Sequence, residues 1–383
     1  VDRADRAGTP PRRRPARGRW LTAGASAAVV AAALTAGLVA QAPHTQASRA
    51  EGAQQARTAD GQAPPSRAPQ IGATSSPRPE STGGPGSGPR AATPAPDGRL
   101  YRHPDSQVGE WVRGNPDDPR QAVIDSRIAS RPAAVWFADP DASTVTARVR
   151  AVTSRAAGQG QVPVLVAYTI PQRDCGQYSA GGAVDLDAYD RWIDRFATGI
   201  GTGRVIVILE PDSVAQAYCL SEEDRRARFA SLARAGRVIK RVAPGARVYH
   251  DAGHSGWHAA RKQAGLLREA GAASPESSDG VFSNVSNFRR TRDEARYVRE
   301  VLAAMDAPAS HGAVIDTSRN GNGPPPQGKW CDPPGRKVGR APALAPGEAR
   351  VDAYLWVKLP GESDGCRGEA GAFSPSYAYE LAR

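Results

Sequence analysis

The run Val205–Ala215 reads VIVILEPDSVA. Its first five residues are β-branched or Leu and predict a strand buried on both faces. The run passes directly into Glu210, Pro211 and Asp212. In parallel α/β folds the carboxyl ends of the strands carry the functional groups, so an acid placed there is aimed from a rigid support. Other apolar runs end alike. Tyr168 leads into Thr-Ile-Pro-Gln-Arg-Asp174-Cys175, and Asp251 into Ala-Gly-His254-Ser-Gly-Trp257. Asn284 leads to Asn287, Asp316 to Arg319, and Lys358 to Glu362, Asp364 and Cys366. Carboxylates gathered on one rim repel each other, so one of them keeps its proton near neutrality. That is what a general acid needs. Trp136, Trp257, Trp330 and Trp356 stand in or beside the same strand ends. Flat apolar rings next to carboxylates suit a sugar, which has an apolar face and a polar rim. Trp is also a common core residue. Trp356, in mid-strand, reads as core, and Trp330, in a Gly/Pro-rich loop, as a binding residue.

Plainer readings apply to several of these groups. Asp212, taken without its context, equally fits a helix N-cap. His254 reads as a hydrogen-bonded structural histidine, Glu210 as the buried partner of an Arg or Lys, and Asp316 with Arg319 as a structural ion pair.

The elements that must position these residues are short apolar runs alternating with helical patterns. The predicted strands are 133–138, 162–168, 205–209, 246–250, 280–284, 312–315 and 353–357. The predicted helices are 141–158, 187–199, 222–242, 257–270 and 291–305. The third helix has a start signal, Ser221 followed by Glu222, Glu223 and Asp224. Strand and helix alternating about seven times predict an α/β fold with a parallel β/α barrel or an open sheet, and the regular spacing favours the barrel.

The first hundred residues differ in kind. Residues 1–19 hold seven Arg, and Leu21–Ala40 is an uncharged, Ala-rich run. This predicts a signal peptide over residues 1–47, or a membrane anchor through residues 21–40, and places the protein outside the cell. Residues 48–100 are rich in Ala, Pro, Gly and Ser and read as a disordered linker. Residues 1–100 carry thirteen Arg and six acidic residues, which leaves +4 of the net +11 for residues 101–383. The basic balance therefore lies in the leader and linker, and no nucleic-acid partner is expected. No protein partner is evident either, and a monomer is expected. Four cysteines in an exported chain predict two disulfides, with three connectivities open. No CxxC or paired Cys/His spacing occurs, so neither a metal nor another cofactor is expected.

Read together, Y-T-I-P-Q-R-D-C (168–175), I-L-E-P-D-S (208–213), D-A-G-H-S-G-W (251–257), V-I-D-T-S-R-N-G-N-G-P (314–324), W-C-D-P (330–333) and W-V-K-L-P-G-E-S-D-G-C (356–366) resemble glycoside hydrolase family 6, the inverting β-1,4-glucanases that include cellulases. The resemblance spans residues 101–383. It implies a distorted, TIM-like barrel of about seven parallel strands with the site on its C-terminal rim. It also implies Asp212 as general acid, Asp174 as the aspartate that helps keep it protonated, and Asp364 as base or charge partner. Tyr168 falls beside the distorted sugar ring. Asp251 matches a further active-site aspartate. Trp136, Trp257 and Trp330 match sugar-stacking positions, Lys358 and Glu362 match substrate contacts, and Asn287 joins them as a strand-end candidate. The family pairs Cys175 with Cys219 and Cys331 with Cys366. The spans after Cys175 and Asp364 are too short to roof a tunnel, which predicts an open cleft and cleavage within a glucan chain. An exo-acting cellobiohydrolase and a non-catalytic carbohydrate-binding protein are the alternatives. No second domain is expected in residues 43–100, which favours soluble or amorphous glucan over crystalline cellulose.

Overall fold

The computed structural model describes residues 98–176 and 179–383. The predicted leader and nearly all of the predicted linker lie outside the described residues. The linker's last three residues do not: Gly98 precedes Arg99–Leu100, which form β1, paired in parallel with β3 (Gln161–Val162). Among the described residues no helix is long and apolar enough to cross a membrane.

The main sheet comprises β2 (Val135–Phe137), β4 (Val164–Ala167), β5 (Val205–Leu209), β6 (Ala246–Asp251), β7 (Gly280–Ser283), β8 (Gly312–Asp316), β9 (Ala343–Leu344) and β10 (Val351–Leu355). Their spatial order is β2-β4-β5-β6-β7-β8-β10-β9. All neighbours run parallel except the β10–β9 pair. The seven expected strands are therefore present, and β9 adds an antiparallel edge that the sequence did not announce.

Side chains alternate along each strand as the period of two requires. Val164, Val166, Ile206, Ile208, Tyr249, Phe282, Val314, Ala353 and Leu355 pack together inside the curled sheet. Leu165, Val207, Val248, Ala313 and Ile315 pack outward against the helices. An interior filled from every strand is how a small barrel avoids a void.

The ladder does not close. β2 and β10 share no pairing register. Two bonds span the seam: Ala134 N–H donates to Trp356 O at 2.9 Å, and the Trp136 indole donates to Val357 O at 2.7 Å. The sheet is thus a curled half-barrel, where a distorted parallel barrel of about seven strands was expected.

The covering helices are α3 (Ala142–Gly158), α4 (Leu186–Ile200), α5 (Glu222–Val242), α6 (Ala260–Glu269) and α7 (Thr291–Ala304). They match the predicted segments closely, and Ser221 caps α5 by accepting from Asp224 N. Three more helices were not predicted: α1 (Gln107–Gly114), α2 (Gln121–Ile124) and α8 (Pro375–Ala382). The first two, a short π-helical turn at Asp125–Ala129, and α8 bury Ile124, Ile128 and Ala378 around Trp356. Trp356 is accordingly core, as expected, with its indole donating to Arg340 O at 3.0 Å.

Candidate active site

A cavity of about 750 Å³ opens at the C-terminal ends of the strands. Tyr168, Asp174, Asp212, Trp136, Trp257, Asn287, Trp330, Lys358, Glu362 and Asp364 all line it. Residues far apart in sequence are thereby brought to one rim. Asp251 is not among them.

Asp212 follows β5 on a tight turn. Glu210 and Asp212 both adopt left-handed backbone, at φ 51° and 69°. Such geometry persists only where the surroundings hold it, and two buried carboxylates do so. Glu210 accepts from the amides of Thr169 and Ile170, each at 3.0 Å. It thus ties the Asp212 turn to the end of β4, rather than forming the expected pair with Arg or Lys. Burial pushes its pKa up to about 7. Asp251 lies below the turn and accepts from Val214 N at 3.1 Å, Ala215 N at 2.9 Å and Gly253 N at 2.8 Å. It holds the segment behind the acid instead of facing the cavity. Burial, then the charge of Asp251, then that of Asp174 raise the Asp212 pKa well above the ordinary value.

Asp174 sits in the loop after β4. Gln172, Asp174 and Cys175 all have positive φ, between 48° and 54°. The loop is closed by several bonds. Asp174 Oδ2 accepts from Ser179 N at 2.8 Å. Arg173 donates to Ser179 O at 2.8 Å and Ala138 O at 2.9 Å, and its guanidinium lies 4.6 Å above the Tyr168 ring. Gly182, at φ 103°, brings the returning chain against Ile170, whose carbonyl oxygen a Cβ would meet at 2.0 Å. Tyr168 stands edge-on to Trp136, ring centres 5.1 Å apart. Burial and the nearby Asp212 and Asp174 push its hydroxyl pKa well up.

The other wall belongs to Asp364. It is paired with Arg319 at 2.8 Å and Lys358 at 3.4 Å, so its charge is compensated from two sides. Arg319 therefore serves Asp364, and the expected Asp316–Arg319 pair is not formed. Asp316 accepts backbone amides instead, from Ser318 at 2.8 Å and Lys358 at 2.9 Å. Lys358 also donates to Ser363 O at 3.1 Å, and burial lowers its pKa. Glu362 accepts from Gln107 Nε2 at 2.8 Å, and burial raises its pKa to about 7. Asn287 donates to Val285 O at 3.2 Å. His254 accepts from Gly256 N at 3.1 Å through Nδ1, and burial keeps it neutral down to about pH 4. That supports its structural reading. It tilts against Trp257, with ring centres 5.3 Å apart.

Both implied disulfides are present, Cys175–Cys219 and Cys331–Cys366. One fastens the Asp174 loop to the segment after Asp212. The other fastens the Trp330 loop to the Asp364 loop.

Two residues went unnoticed in the sequence. Asp332 accepts from Ser363 Oγ at 2.6 Å, Asp364 N at 2.8 Å, Cys366 N at 3.0 Å and Arg367 N at 3.0 Å. Asp364 returns the bond by accepting from Asp332 N at 3.1 Å. Gln107, on α1, grips the same loop through Glu362, Gly371 O at 2.8 Å and Phe373 N at 3.1 Å. The only signal for Asp332 was its place beside Cys331, and Gln107 carried none.

Known proteins share this arrangement. A family model described as Glycosyl hydrolases family 6 matches residues 99–383. Endoglucanase 1 of Streptomyces sp. (strain KSM-9) is 48% identical over 291 residues, 76% of this chain and 79% of that protein. Endoglucanase A of Thermobispora bispora is 46% identical over 288 residues, 75% of this chain and 62% of the relative's length. The solved structure of the endoglucanase Cel6 from Mycobacterium tuberculosis, in complex with methyl-cellobiosyl-4-deoxy-4-thio-β-D-cellobioside, superposes with a TM-score of 0.68 at 38% identity, covering 74% of this chain and 96% of that one. The motif order, the curled sheet and these matches agree: the chain is a glycoside hydrolase and belongs to glycosyl hydrolases family 6.

Proposed function

We propose that the protein is an exported endo-β-1,4-glucanase that cleaves cellulose or related glucans by single displacement with inversion. One observation carries the reading. A carboxyl whose proton is retained by burial and by two neighbouring carboxylates, Asp212, lines the same cavity as an aspartate set between two cations, Asp364. Inversion needs this division of labour, an acid on one face of the sugar and a base with room for water on the other. Water attacks the anomeric carbon while the glycosidic C–O bond breaks. The Asp212 proton goes to the departing oxygen, and the water's proton leaves towards Asp364. Tyr168 and Trp136 stand beside the reacting ring, while Trp257 and Trp330 stack neighbouring glucosyl units. Lys358, Glu362 and Asn287 offer polar contacts to hydroxyls.

The names of the relatives support the endo mode, as does the small number of residues that the sequence places between Cys175 and α4 and between Asp364 and α8. Two disulfides fit an oxidising compartment, which supports export.

Reducing-sugar release from carboxymethylcellulose tests the assignment. The Asp212→Ala variant should lose about 10²- to 10⁴-fold in kcat with KM little changed, and wild type should lower viscosity early. Proton NMR of a cello-oligosaccharide digest should show the α-anomer first. Equal activity in the variant, β-anomer first, or sugar release without loss of viscosity would each contradict a separate part of the reading.

A further inference from the structure

Four large apolar residues are exposed among those described: Val184, Tyr218, Val242 and Trp330. The two aromatics of this set both line the cavity. Each also immediately precedes a disulfide cysteine, Tyr218 before Cys219 and Trp330 before Cys331. Trp330 belongs to the Asp364 wall and Tyr218 to the wall of Asp174 and Asp212. The other described tyrosines are buried, or partly so at Tyr379. Tyr218 is 67% exposed, and among the described residues its ring has no aromatic or cationic neighbour and its hydroxyl no hydrogen bond.

Its backbone, in contrast, is held on several sides. The Cys175–Cys219 bridge lies next to it. Asp251 accepts from the amides of Val214 and Ala215, and His258 Nε2 bonds Ala215 O at 2.9 Å. A short 3₁₀ turn, Ala217–Cys219, presents the ring. An aromatic ring left open to solvent on a fixed support loses little freedom when a flat partner settles on it, which is the condition for an efficient binding platform.

We propose that Tyr218 is a stacking platform for a glucosyl unit of the bound chain, on the Asp212 wall and matched by Trp330 on the Asp364 wall. The proposal rests on the endoglucanase reading. It makes Tyr218 a determinant of chain-length preference, since only a glucan long enough to reach it benefits.

The test compares kcat and KM of wild type, Tyr218→Ala and Tyr218→Phe on cellotriose and cellohexaose. Tyr218→Ala should raise KM for cellohexaose about three- to tenfold, as expected for loss of one ring stack, with cellotriose altered less than twofold. Tyr218→Phe, which keeps the ring and drops the hydroxyl, should behave as wild type. An unchanged cellohexaose KM in Tyr218→Ala overturns the proposal. So does an equal loss on both substrates, which marks a structural role, or a loss with Phe as large as with Ala. If wild type releases sugar from neither substrate, the endoglucanase reading fails, and the platform fails with it.

Discussion

On the proposed reading, Asp212 is the general acid and the charge of Asp174 helps keep its proton. A general acid acts only while protonated, so kcat falls as pH rises through its pKa. Burial and two anionic neighbours keep that pKa high. Replacing Asp174 with Asn removes one neighbouring charge and leaves an oxygen able to accept from Ser179 N. The Asp212 pKa should then fall. The alkaline limb of the kcat–pH profile should move to lower pH, which a profile on a soluble cello-oligosaccharide will read. An unmoved limb would show that the Asp174 charge does not reach the acid. At this scale the sequence was legible where a residue type and a strand end coincided, as at Asp212, Asp364 and Trp257. It misled for Asp251, Glu210 and Asp316, because an acid at a strand end can as well bind backbone amides, and only coordinates separate the two uses. Gln107 lies 255 residues from Glu362 in sequence, and no local pattern encodes such a bond.

Elements show the same division. Strands buried on both faces and long amphipathic helices are written in hydrophobic period, and β5 and α5 fall on their predicted residues. The short α1 and α2 offer too few turns for a period to emerge, and two-residue strands such as β9 offer none. The loop after β10 depends on Asp332, which gathers its amides while the adjoining bridge fixes its span. Asp332→Ala leaves Asp364 N, Cys366 N and Arg367 N without that acceptor, so the Asp364 carboxyl loses its alignment. The expected outcome is a drop of about tenfold or more in kcat with KM within about threefold, since misplacement penalises the transition state more than ground-state binding. A melting curve near that of wild type would separate misalignment from unfolding. A wild-type kcat would show that the bridge alone suffices.

The molecule as a whole carries a pH signature in its core. His250, which follows Tyr249 in β6, and His311, just before β8, are buried, and burial holds both neutral down to about pH 4. Asp279, Lys240 and Arg350 also act on His311. A histidine whose folded pKa lies below its unfolded value near 6.5 contributes stability that is complete above 6.5 and is lost as pH falls through about 4. Glu210, raised to about 7, works in the opposite sense and loses its contribution as pH rises through 7. Removing one histidine isolates its share. Between pH 6.5 and 4 the melting temperature of wild type should fall by about 3–8 °C more than that of His311→Leu. Parallel curves would refute the histidine account.

The unlaced seam between β2 and β10 bears on how the cleft meets its substrate. In a closed barrel, parting two neighbouring strands would break a full ladder. Here the hydrogen bonds at stake are one amide to a carbonyl and one indole to a carbonyl, with a combined net worth of about 1–3 kcal/mol. The indole belongs to Trp136, which also faces the cavity. One side chain thus both ties the seam and lines the cavity. On the endoglucanase reading proposed above, a sugar stacked on that ring would favour the bonded form of the seam. The width of the cleft would then be linked to occupancy through a seam held by two hydrogen bonds.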